Sequence, residues 1–312
     1  MKRTIIVLIG ILIFFSLIDD TTFNNNVRNF IERDYYKTNS YDYLISSNLD
    51  YFKTNKYYKN DITDYVDITD NYYPKNKQEL LNVYYTILNN GWKDFSFYCD
   101  SSYTDCLSDI EELANDNKEF TNINQLVSPF NSFKSIVSSY DNGRIDVSVE
   151  KKYSDEEIEK INKEIDKIIV GLDINNQRTL KDKIKLFHDY LANINKYDTV
   201  TANTNESKYN SDSAIGALFE GYAICTGYTD AMSIFLDKLN VENYKIASEK
   251  HIWNAVNIDN EWLNIDLTWD DPVTSTGEDM ITYDYFLVTT YDMLLKNDGE
   301  HNYDLNVYSF LE

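Results

Sequence analysis

Gly221-Tyr222-Ala223-Ile224-Cys225-Thr226-Gly227-Tyr228 runs from a glycine-marked loop into a helix. From Ile224 the apolar positions continue as Tyr228, Ala231, Met232, Phe235 and Leu239, the spacing of one buried helical face. Cys225 therefore falls in the first helical turn. Unpaired backbone N–H groups and the helix dipole favour an anion there, and a thiol so placed is favoured as the thiolate, its nucleophilic form. A lone cysteine near a helix start is otherwise a small buried hydrophobe, so the sequence around it has to decide.

Two short apolar segments follow, His251 to Ile258 and Glu261 to Asp266, joined at Asp259-Asn260. Read as a hairpin with a two-residue loop, position 258 faces 261, Trp253 faces Asp266 and His251 faces Thr268. Facing residues of an antiparallel pair point to one side of the sheet, so His251 and Asp266 become diagonal neighbours on one face. A loop one residue longer would send Asp266 to the opposite face. Cys225, His251 and Asp266 then form a nucleophile, a base and an orienting carboxylate. The backbone N–H of Cys225 is a first oxyanion donor, and the residues identify no second one.

These blocks resemble a family. Gly221 to Ala231, His251-Ile252-Trp253-Asn254-Ala255-Val256, and Trp262 to Pro272 look like the Cys, His and Asp blocks of the bacterial transglutaminase-like superfamily, in its order and at its spacing. Lys185 to Tyr190 with Tyr197-Asp198 resembles the helix before that core, and Tyr285 to Val288, with His301, resembles its closing segment. The resemblance spans residues 178–302, and less diagnostically the stretch from Lys77 to Ile168. It implies an α+β fold with a papain-like core, a helix-borne cysteine packed on an antiparallel sheet, preceded by a smaller α+β domain. It implies catalytic Cys225, His251 and Asp266, and acyl transfer at amide bonds of proteins or peptides through a Cys thioester. Protease or amidase and transglutaminase remain open, because groove shape and water exclusion decide between them. A catalytically silent binding module at the cell surface is the alternative.

No cofactor or metal is expected: the three histidines and three cysteines show neither C-x-x-C nor H-x-x-x-H spacing, and no calcium-loop spacing is present. Trp253, Trp262 and Trp269 read as core aromatics, Asp270, Asp271 and Pro272 as shapers of a turn, and His188 as solvated or structural. His301 receives no role.

The 312 residues carry a formal charge of −23, which excludes a basic stripe for nucleic acid and a basic lipid-binding face. Met1-Lys2-Arg3 precedes an apolar run from Ile5 to Ile18, the form of a secretory signal. It is too short for a comfortable membrane-spanning helix and lacks a small-x-small cleavage site, so a signal peptide and an uncleaved anchor both stay open. The expected location is secreted or anchored to the outer face of the cytoplasmic membrane, with a protein or peptide substrate that includes cell-envelope candidates. Outside the cytoplasm Cys99 and Cys106 form either a disulfide or two reduced thiols, leaving Cys225 over.

The expected organisation is a signal or anchor over 1–20, a polar lead-in over 21–75 with a short helix near Val27 to Tyr35, and a small α+β domain over 76–152. A connecting helix over 153–176, opened by a Ser154/Glu157 capping box, leads to a catalytic domain over 177–312. Residues 199–212 read as a loop, and Ser213 to Glu220 as a short helix.

Overall fold

The structure is a computed structural model. It describes residues 55–60, 63–116, 118–141, 143–204, 206, 208–272 and 280–312, and the backbone of 3–7. The chain divides into two units, Met1–Ile62 with Val66–Lys152, and Thr63–Tyr65 with Tyr153–Glu312. The expected helix near Val27 to Tyr35 lies outside the described residues.

In the first unit, β1 (Arg3–Val7) is followed by α1 (Lys77–Asn89), β2 (Asp94–Tyr98), α2 (Cys106–Asn115), α3 (Lys118–Gln125), β3 (Phe133–Asp141) and β4 (Arg144–Lys151). The strands form an antiparallel sheet in the order β1-β3-β4-β2. Asp141 faces Arg144 across the hairpin. A disulfide joins Cys99 to Cys106, tying the end of β2 to the start of α2. Leu80, Tyr84, Phe97, Phe120, Phe133 and Ile136 fill the core. Helix α3 was not anticipated. The start of the N-terminal apolar run, Thr4-Ile5-Ile6-Val7, is a strand against β3 rather than a helix, in keeping with its β-branched composition.

Within the lead-in, Lys59, Asp67 and Thr69 are bonded to α1. Asn82, Thr86 and Asn89 occupy one face of that helix. The N–H of Asp67 donates to Asn82 Oδ1 at 3.1 Å, that of Thr69 to Thr86 Oγ1 at 2.9 Å, and that of Lys59 to Asn89 Oδ1 at 3.1 Å. Asn89 Nδ2 returns a bond to the Lys59 carbonyl at 2.8 Å. A chain with no ladder of its own thus has its backbone donors satisfied by helix side chains.

The second unit opens with α4 (Asp155–Gly171), whose capping box of Ser154 and Glu157 is formed and whose buried face is Ile158, Ile161, Ile165, Ile168 and Ile169. Then follow α5 (Leu180–Ile194), β5 (Lys196–Tyr197), α6 (Thr199–Thr204), β6 (Tyr222–Ala223), α7 (Cys225–Lys238), β7 (Asn243–Ala247), β8 (Ile252–Ile258), β9 (Glu261–Ile265), α8 (Leu267–Asp270), β10 (Phe286–Thr289) and α9 (Thr290–Leu295). The second antiparallel sheet has the order β10-β9-β8-β7, and α7 packs on β7 and β8. Part of the loop expected over 199–212 is helical because Asp198 caps it, accepting from Thr201 N at 3.1 Å. The segment before Gly221 closes as a π-turn, with Gly221 N–H donating to the Gly216 carbonyl at 3.1 Å.

Three devices fix the start and direction of α7. β5 pairs in parallel with β6, placing Tyr197 beside Ala223. The Ile224 N–H donates to the Ser211 carbonyl at 2.9 Å, and the Ser211 hydroxyl donates to Asp198. Further along the helix, buried Asp230 pairs with buried Lys245 of β7 at 3.2 Å and accepts from Tyr153 Oη at 2.7 Å. Tyr153 gives Asp230 a second partner against the cost of desolvation.

Gly227 is where the Ser211 loop and α7 meet. A Cβ there would stand 2.2 Å from the Ser211 carbonyl oxygen, a backbone atom that cannot swing aside. Gly227→Ala is therefore expected to lower unfolding stability by about 1–3 kcal/mol, the range for overpacking. Urea denaturation followed by fluorescence checks this, and an unchanged midpoint would mean the loop yields freely.

Candidate active site

Strands β8 and β9 pair with Ile258 facing Glu261 and Asn254 facing Ile265, the register of a two-residue loop. Asp259 and Asn260 occupy that loop at φ 56° and 65°, the left-handed pair such a turn requires. The ladder stops at Ile265. Asp266 leaves the sheet as the N-cap of α8, its Oδ1 accepting from Thr268 N at 2.9 Å and Trp269 N at 3.3 Å. Its own N–H donates to the Tyr285 carbonyl at 3.1 Å. The carboxylate is therefore fixed by backbone before any side chain reaches it.

His251 lies one residue before β8, in the turn that joins it to β7. Ser248 holds that turn, donating its N–H to the His251 carbonyl at 2.9 Å and accepting the His251 N–H on Oγ at 3.0 Å. The ring packs over Trp253, two residues along the strand, with centroids 6.0 Å apart. Its Nε2 is hydrogen-bonded to Asp266 Oδ2. Cys225, the free cysteine among the described residues, stands at the first residue of α7 and close enough to this imidazole to help raise it. The structure thus brings Cys225, His251 and Asp266 together. It also closes them from solvent, at 0%, 2% and 1% exposed respectively.

The electrostatics follow from this packing. Burial by itself pushes the His251 imidazole down, but Asp266 and then Cys225 outweigh it and hold it well above its ordinary value of 6.5. Burial likewise raises Asp266, and the His251 and His301 imidazoles overcome it, holding the carboxyl well below its ordinary 3.8. The phenol of Tyr197 is raised by burial and by the neighbouring Cys225, Glu300 and Asp266.

His301 is the residue that sequence reasoning missed at this site. It is 2% exposed, its Nε2 bonds to Asp266 Oδ2 at 2.7 Å, and its Nδ1 bonds to Asp298 Oδ2 at 2.8 Å. The signal available was slight: an aspartate three residues before a histidine near a closing segment. His188 is not solvated as one of its two readings had it. It is fully buried, between Asp189 at 3.1 Å and Asp270 at 3.2 Å. Asp270 shapes the chain after β9 as expected, accepting from Thr282 Oγ1 at 3.1 Å and from the Tyr285 N–H at 3.0 Å; burial pushes its carboxyl up. Asp271 accepts from Tyr228 Oη at 2.5 Å. Trp253 is core, while Trp269 is partly exposed and packs against His251, Tyr285 and His301.

Among the described residues, His251, Asp266 and His301 offer ligand atoms within 4.8 Å of one another. Both imidazoles, however, point Nε2 at a single carboxylate oxygen, and the other oxygen is held by backbone. The cluster is closed by its own hydrogen bonds, and no metal is assigned to it.

No protein-family model matches the chain, and no curated protein matches it. Among solved structures it is similar to one described as "Crystal structure of a TGase", at 20% identity and a TM-score of 0.33, over 44% of this chain and 44% of that one. The likeness spans less than half of either chain, and the chemistry below rests on the geometry of the site.

Asp266→Asn tests the electrostatics. The depressed Asp266 stabilises the fold above its unfolded value and loses that contribution as pH falls through its folded value. The raised His251 stabilises the fold below its unfolded value and loses that contribution as pH rises through its folded value. The stability difference between wild type and Asp266→Asn should therefore be greatest between the two ordinary values, 3.8 and 6.5. There it should reach about 3–5 kcal/mol, the cost of breaking a buried pair. Denaturant midpoints across pH measure it, and a difference independent of pH would refute the assignment.

Proposed function

We propose that this chain is a thiol enzyme that forms a thioester through Cys225 and passes the acyl group to water or to an amine. The observation that supports the reading is the buried His251–Asp266 hydrogen bond, with Cys225 at the start of α7 acting on the same imidazole. Asp266 fixes the His251 tautomer with hydrogen on Nε2, which leaves Nδ1 to exchange a proton with the sulfur. The thiolate attacks the carbonyl carbon of an amide, and the backbone N–H of Cys225, at the start of α7, receives the developing oxyanion. The imidazolium of His251 gives its proton to the leaving amine, and the carbon–nitrogen bond breaks. Water or a second amine then attacks the thioester, giving its proton back to His251, and the thiolate leaves. This is the chemistry that the transglutaminase-like and papain-like resemblance implies. Export belongs to the same proposal, supported by the charged and apolar N-terminus and by the Cys99–Cys106 disulfide. No described helix is long and apolar enough to cross a membrane.

The burial of Cys225, His251 and Asp266 favours a second reading, a catalytically silent binding module. Labelling separates the two. With iodoacetamide near neutral pH, Cys225 is expected to react roughly ten times faster than a free thiol or more, as an activated cysteine does, and His251→Ala should abolish the excess. Sluggish labelling that His251→Ala leaves unchanged would favour the silent module. Incubation with a glutamine-bearing peptide and an amine dye, read by product mass, then divides transfer from hydrolysis.

A further inference from the structure

Asp266 serves two imidazoles through one oxygen. His251 and His301 both direct Nε2 at Oδ2, while Oδ1 accepts from Thr268 and Trp269. An ionised carboxylate only accepts, so each Nε2 must carry a hydrogen. On its other side His301 directs Nδ1 at Asp298 Oδ2, 2.8 Å away. Asp298 also accepts from the Glu300 N–H at 2.9 Å, the His301 N–H at 3.1 Å and Tyr285 Oη at 2.9 Å. His301 is thus set between two carboxylates, one at each ring nitrogen. Aromatic rings surround it, Tyr285 and Trp253 at 4.9 Å and Trp269 at 5.3 Å between centroids. The His251 ring stands 5.2 Å away.

We propose that His301 is a positioning residue for the Cys225–His251 pair: by placing a second imidazole hydrogen on Asp266 Oδ2, it limits how strongly that carboxylate favours the charged form of the His251 imidazole. The assignment rests on the thiol-enzyme reading above. A carboxylate bound to an imidazole stabilises its charged form, and the stronger that hold, the smaller the share of imidazole free to take a proton from water or an amine. Sharing the oxygen weakens its grip on each donor. The groups facing His251 are Asp266, Cys225 and His301; those facing His301 are Asp266, Asp298, Tyr285 and His251, with Glu300 and Tyr197 beyond them. Tyr197 and Tyr285 are both raised, first by burial, and stay neutral. Burial would raise Asp298 as well, but its hydrogen bonds from Glu300, His301 and Tyr285 outweigh this and keep it ionised.

The test is the pH dependence of Cys225 alkylation by iodoacetamide, from about pH 5 to about pH 10, the range spanning imidazole and thiol ionisation. Wild type should show two steps, thiolate formation beside the imidazolium and, at higher pH, loss of the imidazolium proton. His301→Phe keeps a ring in the aromatic cage and removes both donors. It should move the alkaline step upward by roughly one pH unit, the scale on which a hydrogen bond to the carboxylate shifts its partner. Asp298→Asn, of the same size, should move it in the same direction by less, and carries the test if His301→Phe does not fold. A two-step wild-type profile with the alkaline step unmoved in the folded variants overturns the role of His301 and leaves the thiol-enzyme reading standing. A wild-type profile with the single step of an ordinary thiol overturns both.

Discussion

A four-residue helix capped by Asp266 gathers the imidazoles of this protein. The chain has three histidines, and each meets a carboxylate of that one turn: His251 and His301 meet Asp266, and His188 meets Asp270. The backbone makes this possible. The Thr268 and Trp269 N–H groups fix Asp266 from below, and Asp270 draws in the chain at Thr282 and Tyr285. Acidic groups buried at 1% and 0% exposure are tolerable only with partners on every side, and the imidazoles are those partners. Loosening this turn would release the sheet end, the His251 ring and the closing segment together.

The other half of the site is a matter of direction. Helix α7 carries Cys225 at its first residue, and the position of that residue is set by the Ser211 loop, the β5–β6 pair and the Asp230–Lys245 ion pair. None of these touches the imidazole. They hold the sulfur where the hairpin delivers the ring, so two independently braced elements converge on one point. Such convergence is what a reactive constellation needs from a scaffold.

Much of this was legible in the sequence where spacing alone decides geometry. The Asp259-Asn260 loop fixes the β8–β9 register, but the ladder ends at Asn254 and Ile265, so the expected facings of Trp253 with Asp266 and of His251 with Thr268 do not form, and capping of α8 sets the Asp266 carboxylate instead. The capping box at Ser154 and the stripe of isoleucines after it were equally readable. What escaped depends on distant contacts. His301 meets Asp266 across thirty-five residues, through a segment whose path no periodicity describes. His188 reads as solvated or structural beside Lys185 and Asp189, and Ile184, Phe187 and Leu191 place it on the buried stripe of α5. The helical turn after Asp198 and the helix Lys118–Gln125 owe their existence to a local cap and to packing, neither of which leaves a strong pattern in composition.

The strap along α1 has a consequence for how order is distributed in the first unit. Its amides at Lys59 and Thr69 are bound by side chains of a helix whose interior is wholly buried. They gain slow hydrogen exchange from that helix without adopting regular structure themselves, because opening the strap requires α1 to give up Asn89 and Thr86. A segment that reads as coil by its dihedrals is then, thermodynamically, an outer layer of the helix, and the two would melt as one.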